Sequence, residues 1–150
     1  MANELKPDLI LVTETWAHQD INSAHLSIEG YEVQTDLRRD RVDTTQGRGG
    51  GIMVYAKTGI KPTVLDNTTP FSQYCAFKLQ DVTIYLLYRS PNASAESISN
   101  LAGLIRAAGK DSILIGDFNL PEIDWGAGMA LARLEAVVAA ADDSCMTQVV

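Results

Sequence analysis

The strongest constraint on this chain is a set of short, apolar, β-branched runs, three of which break off into polar residues. Asp8-Leu-Ile-Leu-Val-Thr13 follows Pro7, and Val82-Thr-Ile-Tyr-Leu-Leu-Tyr88 and Ser112-Ile-Leu-Ile115 share its character. Runs of this length without polar alternation predict strands buried on both faces. Ile52 to Ala56, reached through glycines, and Tyr74 to Leu79 predict further strands, with Tyr31 to Thr35 a weaker one. Met146 to Val150 begins another strand-like run where the sequence stops.

Two helical stripes interrupt this pattern. The first covers Ser94 to Ala108, with Ile98, Leu101, Ile105 and Ala108 on one side and Gly109 placed to stop it. The second covers Met129 to Ala141 through Leu131, Leu134, Val138 and Ala141. Strands outnumber helices and several are sequence neighbours, so the expected class is α/β (α+β), layered, with mixed sheets. A length of 150 residues suits one domain with its own core. The 46% hydrophobic and 21% charged content excludes a disordered or fibrous chain, and no internal repeat or low-complexity tract divides it.

Cys75 and Cys145 form no C-x-x-C pair, and both read as buried free thiols. Met1 to Lys6 is polar, and the aliphatic run Leu9 to Val12 is too short for a membrane span or a signal peptide, so an intracellular location is expected. The net charge of −7 argues against a nucleic-acid partner. Its distribution argues otherwise. Residues 38 to 61 set six cations, Arg38, Arg39, Arg41, Arg48, Lys57 and Lys61, against Asp40 and Asp43, while residues 1 to 37 carry −6 and residues 117 to 150 carry −5. Either this is a solvated basic loop, or a phosphate-facing rim beside an acidic, cation-binding centre.

The strand ends carry the candidate chemistry. The first run ends in Thr13-Glu14-Thr15-Trp16, the second in Tyr88-Arg89-Ser90-Pro91-Asn92, the third in Gly116-Asp117-Phe118-Asn119. Sites of sheet-based α/β folds gather where buried strands give way to loops. If strand geometry persists past Ile115, Asp117 and Asn119 face one point, the carboxylate to take a proton from water and the amide to donate to a phosphoryl oxygen. Glu14 offers the hard oxygen that Mg²⁺ prefers. Together these are the parts of metal-assisted phosphodiester hydrolysis. The plainer alternatives are an Asx-rich turn at 117 to 119, a surface acid at Glu14 and a core aromatic at Tyr88. Gln46-Gly-Arg-Gly-Gly-Gly51 lacks P-loop spacing and reads as a flexible lead-in to the Ile52 strand, from which Arg48 reaches a phosphate. His18 and His25 stand in a polar connection with no G-x-S-x-G nearby, which argues against a serine hydrolase.

The ordered series KPDLILVTETW (6 to 16), GRGGGIMVYAK (47 to 57), YRSPN (88 to 92) and GDFNLPEIDW (116 to 125) resembles the endonuclease/exonuclease/phosphatase superfamily. Within it the resemblance is to the apurinic-like endonuclease domain of non-LTR retrotransposon endonuclease–reverse transcriptase proteins. The resemblance implies a four-layered α/β sandwich of two mixed sheets flanked by helices, DNase I-like, with Mg²⁺ or Mn²⁺ as cofactor. It implies DNA as substrate, a reverse transcriptase domain in the same polyprotein, and a nuclear place of work. Glu14 matches the metal-binding glutamate, Asp117 the aspartate that orients the attacking water, and Asn119 the asparagine that contacts the phosphate. Tyr88 matches the active-site tyrosine; Asn92 closes the Y-x-x-P-N type segment, and Arg48 and Arg89 are the cations expected to contact substrate.

The sequence also departs from that pattern. The family opens with an asparagine-bearing strand, for which Asn3 is no substitute, and closes with an S-D-H segment whose histidine binds the phosphate. Neither His18 nor His25 stands in a matching motif. The expectation is an internal part of such a domain, residues 1 to 150, inactive by itself and prone to self-association. The rival expectations are a related phosphoesterase acting on another substrate and a non-catalytic remnant that binds nucleic acid through residues 38 to 61.

Overall fold

A computed structural model describes residues 6–41 and 49–149. Among these residues seven strands and two helices follow in order: β1 (Leu9–Thr13), β2 (Tyr31–Val33), β3 (Ile52–Lys57), β4 (Thr63–Leu65), β5 (Tyr74–Leu79), β6 (Val82–Tyr88), α1 (Ala95–Ala108), β7 (Ser112–Asp117) and α2 (Glu135–Asp143). Short 3-10 turns occupy Ser23–Leu26, Thr35–Leu37 and Ala132–Leu134. The strands form two sheets, β1-β3-β2 and β4-β5-β6-β7. The first is antiparallel throughout; the second is mixed, because β6-α1-β7 is a crossover that makes β7 parallel to β6.

Side-chain alternation packs the layers. On β3, Ile52 and Val54 face the second sheet, where Cys75 and Phe77 of β5 and Ile84, Leu86 and Tyr88 of β6 meet them. The opposite face of β3, Met53 and Tyr55, lies under the connection from Ala17 to Ile28. The other face of the second sheet, through Tyr74, Ala76 and Leu87, packs on Ile98, Leu101 and Ile105 of α1 and on Val137 and Ala141 of α2. Among the described residues both helices therefore flank one sheet, and a loop with a 3-10 turn flanks the other. No helix among them is long and apolar enough to cross a membrane.

Several expectations need correction. β7 is an edge strand with Ile113 and Ile115 50% and 44% exposed, since α1 covers only the Leu114 face, and β1 is half-buried because it too is an edge. The second helix begins at Glu135, after a 3-10 turn, rather than at Met129. Residues 146 to 149 form no strand; Met146 donates back to Ala141 as the helix unwinds. β4 escaped the sequence reading, its three residues being too few to show a period. Cys75 is buried but Cys145 is exposed, and both are free. α1 starts right after Ser94, which stands at the N-cap position without a side-chain hydrogen bond, and Gly109, at φ 72°, ends it as expected.

Candidate active site

Beyond β1 the chain stays tied to its partner. Thr15 and Trp16 donate their N–H groups to the carbonyls of Gly51 and Gly50 at 3.3 and 3.0 Å. Residue 51 has to be glycine: its φ is +89° and an added Cβ would stand 2.4 Å from Thr15 Oγ1. Glu14 and Trp16 take left-handed φ values of 54° and 55°. For residues with a Cβ that conformation costs about 1–2 kcal/mol each, and such strain concentrates at functional sites.

This bend brings Glu14 over the end of β6. The Tyr88 hydroxyl donates to Glu14 Oε1 at 2.7 Å. Burial, together with the carboxylates of Glu14 and Asp117, pushes the Tyr88 phenol up to about 12, so it remains a donor across the physiological range. Gln73 fastens the two sheets here. Its carbonyl accepts from Tyr88 N–H at 2.9 Å, its Oε1 accepts from Gly51 N–H at 3.0 Å, and its Nε2 donates to the Asp40 carbonyl at 3.4 Å. Nothing in the sequence singled out Gln73, since a glutamine in a loop carries no pattern.

Asp117 is the last residue of β7, in register with Tyr88. The preceding residue must be glycine as well, because a Cβ on Gly116 would stand 1.8 Å from the Leu87 carbonyl oxygen. The strand does not continue to Asn119, which takes φ 49°. Its N–H donates to Asp117 Oδ1 at 3.1 Å and its Nδ2 donates to the Arg89 carbonyl at 2.8 Å. The Asx turn weighed from sequence is thus present, and strand alternation is not what relates the two side chains. Arg89 reciprocates: its N–H donates to the Asp117 carbonyl and its guanidinium to the carbonyls of Asn119 and Ala93. Burial lowers its pKa, and its Nε has no partner.

A cleft of about 480 Å³ opens on this arrangement, lined by Glu14, Trp16, Arg41, Tyr88, Arg89 and Asn92 among others. Asp117 and Asn119 do not line it, and neither does His18 or His25. Arg48 lies outside the described residues. The rest of the basic stretch divides. Arg38 is held internally by Asp40, Ser23 and the carbonyls of His18 and Ile21, while exposed Lys57 and Lys61 sit at or beyond the far end of β3. Only Arg41 of the described cations in that stretch faces the cleft.

The donor set suits one kind of metal. Among the described residues no three His, Cys, Asp or Glu side chains form a closed cage. Glu14 is exposed, and Tyr88 is its one partner among them. One or two carboxylates, completed by water and substrate phosphate, is how Mg²⁺ is usually held.

A family model described as "Endonuclease/Exonuclease/phosphatase family" matches residues 1–137. No curated protein matches the sequence. Among solved structures, an AP endonuclease from Archaeoglobus fulgidus superposes with a TM-score of 0.66 at 11% identity, over 95% of this chain and 62% of that one. The 3' phosphatase NExo from Neisseria, bound to product DNA hairpin, gives 0.59 at 13% identity over 89% and 61%. The endonuclease domain of TRAS1, a telomere-specific non-LTR retrotransposon, gives 0.54 at 17% identity over 95% and 60%. At such identities the likeness is one of fold, and this chain spans about three-fifths of the length of each.

Proposed function

The chain belongs to the endonuclease/exonuclease/phosphatase family, and on that premise we propose that the Glu14 and Tyr88 end of its inter-sheet cleft, with Asp117 on the strand beside Tyr88, serves metal-dependent hydrolysis of DNA phosphodiester bonds. The observation that carries this is the junction of three strand ends: Tyr88 holds the Glu14 carboxylate at 2.7 Å and stands in register with Asp117. A divalent ion, Mg²⁺ with Mn²⁺ as substitute, supplies Lewis-acid polarisation of the phosphoryl oxygen when bound. Glu14 holds it, and Tyr88 fixes the carboxylate in place for it. Asp117 accepts the proton of the attacking water at Oδ2, its Oδ1 being engaged by the Asn119 N–H. The Asn119 amide keeps one N–H on the Arg89 carbonyl, and its second N–H is the donor it has for a phosphate. Asn92 and the cation at Arg48 or Arg41 provide phosphate contacts on the open side.

The finer reading is the target-site nicking endonuclease of a non-LTR retrotransposon, joined to a reverse transcriptase and working in the nucleus. The ordered TETW, GRGGG and GDFNLPEIDW segments support it. The chain's two histidines lie outside the cleft, so the 150 residues lack an imidazole beside the phosphate and do not cleave DNA by themselves.

The test has two arms. Mn²⁺ should selectively broaden NMR resonances around Glu14 and Tyr88, and Glu14→Gln should abolish this; broadening unchanged by Glu14→Gln overturns the metal assignment. Supercoiled plasmid with Mg²⁺ should remain intact; nicking that vanishes in Glu14→Ala overturns the inactivity of the chain while supporting the site. Equal binding of inositol phosphates and of DNA favours a phosphoesterase with another substrate.

A further inference from the structure

Among the described residues Trp16 is the only exposed aromatic side chain. The others are buried or half-buried, as expected for residues that each bring a large apolar area to a core. Trp16 is 48% exposed although it follows a half-buried strand and precedes Ala17, which is 1% exposed. Its position is not accidental slack. The backbone is bent into the left-handed region at φ 55°, and its N–H is hydrogen-bonded to Gly50 at 3.0 Å. The fold thus tolerates strain at a bulky residue in order to hold an indole at the rim, two positions from Glu14 and lining the same cleft. Beside it, Gly49 and Gly50 bring no side chain to the cleft wall, so the ring is not covered from that side.

From this placement we infer that Trp16 is a stacking platform for a nucleobase next to the phosphate that enters the cleft beside Glu14, the proposed holder of the divalent ion. The inference rests on the reading of the cleft as a phosphodiesterase site and deepens it by naming what the nucleic acid offers there: an accessible base face, which an inositol phosphate or a lipid headgroup lacks. A flat, polarisable ring at the mouth of a phosphate site rewards a ligand with a π face, and stacking is tolerant of base identity. An inositol ring has no such face. The residue positions the nucleotide and takes no part in proton transfer.

Two substitutions separate this from a structural role. Trp16→Phe keeps a platform. Trp16→Gly removes it and, at φ 55°, also relieves the strain, so the melting temperature should stay unchanged or rise. The probe is a short fluorescein-labelled DNA duplex with one unpaired thymidine, titrated by anisotropy; its unlabelled form is titrated against the Trp125→Phe protein, in which Trp16 is the sole indole. DNA should quench the Trp16 emission and inositol hexakisphosphate should not. Trp16→Gly should weaken DNA binding by about tenfold, with Trp16→Phe losing much less. Unchanged DNA affinity in Trp16→Gly, or a fall in melting temperature that accounts for the loss, overturns the platform and leaves the phosphodiesterase reading standing. Absence of DNA binding by the wild-type chain, with inositol hexakisphosphate bound, overturns both.

Discussion

The Tyr88 hydroxyl and the Glu14 carboxylate, 74 positions apart in sequence, meet at 2.7 Å across the two sheets. The contact exists because Tyr88 points inward by strand alternation on β6, whereas Glu14 is swung over it by a left-handed bend after β1. It makes the tyrosine a positioning group for the candidate metal ligand.

Replacing Tyr88 by Phe keeps the ring in the inter-sheet core and removes one hydrogen bond to an exposed partner. The expected loss of stability at neutral pH is about 1 kcal/mol or less, whereas Mn²⁺ binding should weaken because Glu14 is no longer held. Chemical denaturation and Mn²⁺ titration measure the two separately.

The same phenol predicts an alkaline transition. Its pKa rises from 10.0 to about 12 on folding, so its protonated form favours the folded state; that contribution is whole below pH 10 and disappears as pH climbs through about 12. Cys75, raised from 9.0 to about 12 by burial, has the same sign and begins lower. Unfolding midpoints followed from neutral to alkaline pH should fall in the wild type, less steeply in Tyr88→Phe, and least in Tyr88→Phe combined with Cys75→Ala.

Two glycines should respond oppositely to alanine. At Gly116 the new Cβ collides with the Leu87 backbone, and the expected loss exceeds about 3 kcal/mol, with Asp117 displaced. At Gly103, exposed on α1 with nothing within 4 Å, alanine should stabilise by up to about 1 kcal/mol. Urea denaturation of both variants checks the pair.

Arg89→Lys tests what the buried guanidinium serves. One ammonium does not span the carbonyls of Asn119 and Ala93, so a loss of about 1–3 kcal/mol is expected. An unchanged denaturation midpoint with weakened DNA binding would instead assign the guanidinium to the ligand.

The edge of the second sheet predicts association. Ile113 and Ile115 are exposed on β7, whose outer backbone edge has no partner strand among the described residues. Light scattering should show a mass that grows with concentration, and Ile113→Lys should reduce it. A monodisperse monomer at all concentrations would contradict this.

Most of the strands were legible because hydrophobic runs of five to seven residues have few other ways to be satisfied. Burial was not legible in the same way. The Ser112 to Ile115 run reads as buried on both faces, yet β7 lies at an edge, and only the order of strands in the sheet decides that. Residues 146 to 149 look like a strand, yet among the described residues no neighbouring strand pairs with them, and a strand is defined by its partner.

The site divides along the same line. Sequence alone singled out Glu14, Tyr88, Asp117 and Asn119 as candidates for the chemistry and placed them at or just past strand ends, because those are local properties of composition and spacing. Tertiary structure decided their relations: Tyr88 on Glu14, Asn119 turned onto the Arg89 backbone, Gln73 fastening the two sheets, and Trp16 left open at the rim. These depend on backbone angles at a few residues and on the packing of two sheets. Both are set by long-range burial, which no local stretch of sequence encodes.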